Sequence, residues 1–86
     1  MWYVYVLWSQ KANNWFYKGS TGNLKKRFIQ HQNGEITFTR PYLPLRLVYY
    51  EAYISEKAAR KRESSIKKSG SVWMPLMKRI KESLKD

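Results

Sequence analysis

The chain has no cysteine and a single histidine, His31. A disulfide framework is thereby excluded, as are four-cysteine, cysteine–histidine and multi-histidine zinc sites. Acidic residues are scarce too, 6 against 17 Lys and Arg. Any metal must rest on very few carboxylates, with water and substrate oxygens completing its shell, as magnesium is held at phosphate sites. No apolar run approaches the roughly 20 residues of a membrane span, and the apolar start Met1–Trp8 lacks the basic leader of a signal peptide. A cytoplasmic protein with no membrane partner is expected. There is also no Gly-rich phosphate loop, no Ser/His/Asp set in a recognisable context and no pair of aspartates of two-metal type.

What is present is aromatic and basic. An apolar fraction of 43%, with 4 Trp, 7 Tyr and 3 Phe, is too high for a disordered chain. At 86 residues there is room for one domain, 1–86, since a chain of this size buries only about 60 to 65% of its unfolded surface. A net charge of +11 attracts polyanions such as nucleic acid or anionic lipid. Ten of the 17 basic residues lie between Lys57 and Lys85, which makes the last two helices a source of phosphate contacts.

Trp2–Trp8 is dense in aromatic and β-branched residues on both alternating faces and reads as a strand covered on both sides. Lys11–Asn14 is a polar turn, and Trp15–Lys18 resumes the strand signal until Gly19 ends it. From Asn23, a plausible N-cap, Leu24, Phe28 and His31 or Gln32 recur at helical spacing, with Asn33 and Gly34 as the stop. Glu35–Pro44 reads as a basic-edged loop around Arg40. Leu45–Tyr53 is a third strand, and Ser55 caps a helix through Ala58, Ala59, Arg62, Glu63 and Ile66 towards Gly70. Pro75 suits the first turn of a last helix with the stripe Leu76, Met77, Ile80 and Leu84. The order β-β-α-β-α-α predicts an α+β fold, a small three-stranded antiparallel sheet flanked by helices.

Arg27, His31 and Glu63 are polar residues where packing would favour apolar ones. Arg27 and His31 are four apart and share a helix face bordering Leu24 and Phe28. Each has a plainer reading: a snorkelling surface arginine, a solvated histidine near a helix end, a glutamate in an exposed cluster with Arg60 and Lys67. Tyr3, Tyr5 and Tyr17 read singly as strand packing, and Trp73 as a helix-packing residue that also has the ring to stack on a base.

Tyr3, Val4 and Tyr5, followed by Tyr17, Lys18 and Gly19, resemble the two strand motifs of the GIY-YIG nuclease family. The run YKGSTGNLKKRFIQH, Tyr17 to His31, is similar to that family's second strand, turn and first helix. LVYYE (Leu47–Glu51) and AARKRESSIKK (Ala58–Lys68) resemble its third strand and glutamate-bearing helix. The nearest likeness is to small stand-alone bacterial members, which are similar to the nuclease domain at the start of the excision-repair incision subunit. The resemblance covers about residues 2 to 70. It implies that Tyr5 and Tyr17 face the scissile phosphate, with Tyr5 favoured over Tyr17 as the base. It further implies that Arg27 supports the transition state, His31 assists, and Glu63 holds one divalent ion, Mg²⁺ or Mn²⁺. Lys18, Lys25, Lys26, Arg40, Lys67 and Lys68 are the expected nucleic-acid contacts, Lys18 also being placed to favour phenolate.

The sequence departs from the family pattern at Tyr3 (glycine in the motif), Lys18 (isoleucine) and Ser20 (lysine in some repair-type members). Gly70–Met77 also lacks a clear equivalent of the polar residue many members carry after the glutamate helix. The function expected is a metal-dependent endonuclease hydrolysing DNA phosphodiesters, in repair or processing, with RNA as a further substrate class. The alternative is a non-catalytic nucleic-acid-binding module on the same scaffold, and a third is a basic protein of a membrane surface or the ribosome.

Overall fold

Aromatic and β-branched residues at Trp2–Ser9 make β1, which pairs antiparallel on both sides, with β2 (Phe16–Thr21) and β3 (Leu45–Tyr53), in the sheet order β2-β1-β3. Helix α1 (Leu24–Gln32) links β2 to β3, and α2 (Glu56–Lys68) and α3 (Gly70–Leu84) follow. The computed structural model describes residues 1–85. The α+β order β-β-α-β-α-α and the three-stranded antiparallel sheet are those the sequence implies. No helix among the described residues is long and apolar enough to cross a membrane.

Alternation along β1 supplies two cores. Val4 and Val6 face α2 and α3, where Ala59, Ile66, Leu76 and Ile80 are also buried. Tyr5 and Leu7 face α1 and pack with Leu45, Leu24 and Phe28. In β3 the odd residues change sides: Leu47 is opposite Leu7, but Tyr49 is opposite Val6, because the register shifts between Val6 and Leu7. The bulge leaves Val48 as the extra residue, and beyond it Tyr49, Glu51 and Tyr53 share the α2 side. There Glu51 accepts a forked pair of bonds from Arg62, 2.9 Å from Nε and 2.9 Å from Nη2, and also the hydroxyls of Tyr49 and Tyr53. Burial raises the Glu51 carboxyl, but these donors outweigh it and hold the group at about 2.

Local chemistry sets the helix ends. The Asn23 side chain accepts the Lys26 N–H at 3.0 Å, and Ser55 Oγ accepts that of Ala58 at 3.1 Å. Gly34 follows α1 at φ +73°, a conformation that suits glycine. Three boundaries differ from expectation. β2 begins at Phe16 and runs past Gly19 to Thr21, and Trp15 stands outside it, stacked on Tyr42 with ring centroids 3.8 Å apart. Helix α2 stops at Lys68, just before Gly70 as expected, with Ser69 extended, but α3 starts already at Gly70, with the Ser69 carbonyl accepting from the Val72 and Trp73 N–H groups. Pro75 therefore lies inside α3, not in its first turn. Val72 and Trp73 pack on the core and draw the preceding turn into the helix. The carbonyl that Pro75 cannot bond belongs to exposed Ser71, within reach of water.

Candidate active site

Tyr5 lies at the middle of β1 opposite Gly19 of β2, and its side chain is only 2% exposed. A Cβ on Gly19 would come within 2.7 Å of the Tyr5 hydroxyl, so the phenol lies in the space that glycine leaves. Gly19 is thus needed for close packing inside a strand, not for a turn.

The hydroxyl of Tyr5 is 2.9 Å from His31 Nε2, and His31 Nδ1 is 2.8 Å from Thr39 Oγ1. Thr39 in turn donates to the Ile36 carbonyl at 3.4 Å. A hydroxyl has one proton to give, so Thr39 accepts from Nδ1–H, and Nε2 is left bare to accept from Tyr5. A directional chain results: Tyr5 to His31 to Thr39 to the Ile36 carbonyl. His31 and Thr39 are both fully buried. Burial, then the Arg27 charge, takes His31 down to about 4, so the imidazole is neutral at pH 7. Burial, followed by neighbouring Tyr17, pushes Tyr5 well above the usual phenol value, against the lowering influence of Arg27. The resting pair is therefore a protonated phenol donating to a neutral imidazole.

Tyr17 is half-buried on the same side of β2, its ring 6.2 Å from that of Tyr5 and 5.2 Å from His31. Arg27, half-buried on α1, has no ion-pair partner among the described residues. It lines a shallow concavity with Thr21, Asn23 and Lys26 at the end of β2. An unneutralised guanidinium whose charge is felt at Tyr5 and His31 is a ready donor to a phosphate oxygen.

Glu63 reaches the same edge from the other side of the sheet. Ser20, opposite Val4 and so directed towards α2, donates its hydroxyl to Glu63, and Lys67 one helical turn on pairs with it. Burial raises the Glu63 carboxyl, and Lys67 and Ser20 together bring it below the usual carboxylate range. Its charge is felt at the Tyr5 phenol. No cluster of three or more His, Asp or Glu suited to a metal occurs among the described residues. One carboxylate at an open strand edge, beside hydroxyls, suits an ion such as Mg²⁺ that keeps most of its waters and takes phosphate oxygens, not a metal caged by protein.

The structure brings Tyr5, Tyr17 and His31 into contact, sets Arg27 beside them and holds Glu63 across β2. Of the expected basic contacts, Lys25, Lys26 and Lys68 are exposed. Arg40, also exposed, donates from Nε to the Gly34 carbonyl at 2.8 Å. Lys67 is the partner of Glu63. Lys18 is turned away from the phenols: it is opposite Val6, and its Nζ lies 4.3 Å from the Trp73 ring centroid. Trp73 meets Phe16 edge to face and packs on the core, which makes it a packing residue. Two partners were not legible in advance. Thr39 had no periodic pattern to mark it, and Ser20 stood out only for the lysine it replaces.

Two strand phenols backed by a histidine, with an arginine and a carboxylate at one edge of a strongly basic α+β protein, form a scaffold suited to phosphate chemistry. The family model described as the GIY-YIG catalytic domain matches residues 1–73, and the chain belongs to this family of nucleases. It is 42% identical over 67 residues to a UPF0213 protein of Streptococcus pyogenes serotype M5 (strain Manfredo), covering 77% of this chain and 71% of that one. A UPF0213 protein of serotype M3 (strain ATCC BAA-595 / MGAS315) is 40% identical over the same shares. No solved structure matches the chain significantly.

Proposed function

We propose that the protein is an endonuclease that hydrolyses DNA phosphodiester bonds with the help of one divalent ion, Mg²⁺ or Mn²⁺, in a cytoplasmic repair or processing role. The reading is carried by the buried proton chain from Tyr5 through His31 to Thr39. A protein that only bound nucleic acid would have no use for a phenol with a proton acceptor fixed behind it.

Arg27 takes the scissile phosphate, which neutralises its charge near His31 and raises the basicity of the imidazole. The attacking water then gives a proton to Tyr5 Oη as Tyr5 gives its own to His31 Nε2, and the water oxygen bonds to phosphorus. The P–O bond to the leaving oxygen breaks, and that oxygen takes a proton from solvent. Tyr17 orients water or phosphate from the open side. A divalent ion, when bound, would rest on Glu63 and neutralise charge on the non-bridging oxygens. Lys67 occupies that carboxylate in the free protein and would have to yield to the ion.

The test is cleavage of labelled duplex, branched, nicked and single-stranded DNA with Mg²⁺ or Mn²⁺, with Glu63→Gln as control. Cutting that needs the ion and is lost in the control supports the reading. Binding with no cutting of any substrate overturns it in favour of a non-catalytic module. In either case, affinity should fall steeply with salt as lysines and arginines displace counterions from phosphates.

A further inference from the structure

The segment between α1 and β3 has a role that proton transfer does not use. Thr39 points inward to His31, and its chain neighbour Phe38 points out, 67% exposed. Other apolar side chains such as Ile54 and Met74 are exposed as well, and what sets Phe38 apart is the aromatic surface beside it. Its ring lies 5.9 Å from Tyr17 and 6.2 Å from Trp15, and Trp15 is itself stacked on Tyr42. Trp15, Phe16, Tyr17, Lys18, Phe38 and Lys67 line a concavity of about 420 Å³, within the size range of small-ligand sites. Aromatic faces with ammonium groups at the rim suit a flat π-system carried on an anionic backbone.

We infer that this concavity is a subsite for one unpaired nucleobase, stacked on Phe38 and flanked by Lys67. The nucleotide it holds is adjacent to the phosphate at the Tyr5–Tyr17 pair, because Tyr17 belongs to both places. A base inside a duplex is stacked on its neighbours and cannot present its face to Phe38. The substrate class is therefore DNA with single-stranded character at the cut: a flap, an overhang, a junction or a free single strand. The inference rests on the nuclease reading only for which phosphate is cut; the subsite itself is a binding statement.

The test is binding in EDTA, so that no cleavage occurs, of a single-stranded oligonucleotide, an overhang duplex and a blunt duplex at fixed salt. Phe38→Ala should lose roughly tenfold in affinity for the first two and little for the third, and Phe38→Trp should retain it. A 2-aminopurine walked along the oligonucleotide should be quenched at one position by the unaltered protein and not by Phe38→Ala. Phe38 is exposed, so the variant should fold, and circular dichroism checks this. Equal losses on all three DNAs, no loss on any, or quenching that survives Phe38→Ala would overturn the subsite. A Phe38→Ala protein that binds and cuts single-stranded and overhang DNA as well as the unaltered protein does would leave the nuclease standing without the subsite. Intact stacking in a protein that cuts nothing would do the reverse.

Discussion

On the α2/α3 side of the sheet, Val4, Val6, Ala59, Ile66, Leu76 and Ile80 meet as aliphatic surfaces. The polar residues nearby, Glu51 with Arg62, Tyr49 and Tyr53, satisfy one another at the rim. On the α1 side the same central strand contributes Tyr5, and what it meets are a buried imidazole and a buried threonine hydroxyl. Apolar contact would hold both sides more simply, and buried polar groups stabilise only when each is bonded. One side is closed by aliphatic contact alone, while the other sets a hydrogen-bonded chain of buried polar groups within its apolar packing.

The largest effect should come from Tyr5→Phe, which deletes one hydroxyl and almost no volume. Cleavage should fall by about 10²- to 10⁴-fold, the range of a lost general base. The variant also leaves His31 Nε2 buried without a donor, so stability should drop by about 1–3 kcal/mol. Single-turnover rates beside a urea titration separate the two losses; cutting at the unaltered rate would shift the base to Tyr17. Next is the opposite side: Ile66→Ala should cost about 2–5 kcal/mol of stability and leave the rate per folded molecule unchanged. A parallel fall in rate would mean that the two sides are not separate.

Thr39→Val keeps shape but removes the acceptor of His31 Nδ1–H, leaving a buried donor unpaired at about 1–3 kcal/mol. The ¹⁵N shifts of His31 should report loss of the fixed tautomer, with a matching drop in cleavage, and Thr39→Ser should restore both. Unchanged shifts would make Thr39 a packing residue. Stability should also depend on acid. His31 is held at about 4 in the fold against 6.5 unfolded, so below 6.5 the unfolded chain binds the extra proton, and stability falls as pH drops from about 6.5 to 4. Glu51, at about 2 against 4.5, loses its contribution in a lower window, as pH falls from 4.5 to 2. Denaturant midpoints against pH should show two steps, and His31→Gln should remove only the upper one.

Most of the architecture was legible because it follows from local preference: β-branched and aromatic runs make strands, and capped residues at helical spacing make α1 and α2. Errors fell where a distant contact overrode the local signal. Gly19 reads as a strand end, yet it is glycine because the Tyr5 hydroxyl fills its side-chain space. Pro75 reads as a helix start, but Val72 and Trp73 gain enough from the core to begin α3 a turn earlier. Tyr5, Tyr17, Arg27, His31 and Glu63 could be picked out by resemblance, but not the wiring among them. That depends on Thr39, in a loop with no period, and on Ser20, whose partner is 43 residues away.

Strand β1 is hydrogen-bonded on both sides along its length, whereas α1 is nine residues long and the segment after it is held by scattered bonds from Ser9 and Arg40. Backbone amides of Val4–Val6 should therefore exchange with solvent only through global unfolding, while those near His31 exchange through smaller and more frequent openings. The phenol sits on the slowest-exchanging part of the molecule and its proton acceptor on a faster one. On warming, the proton relay should come apart while the sheet is still intact, so that activity fades several degrees before the far-ultraviolet signal does.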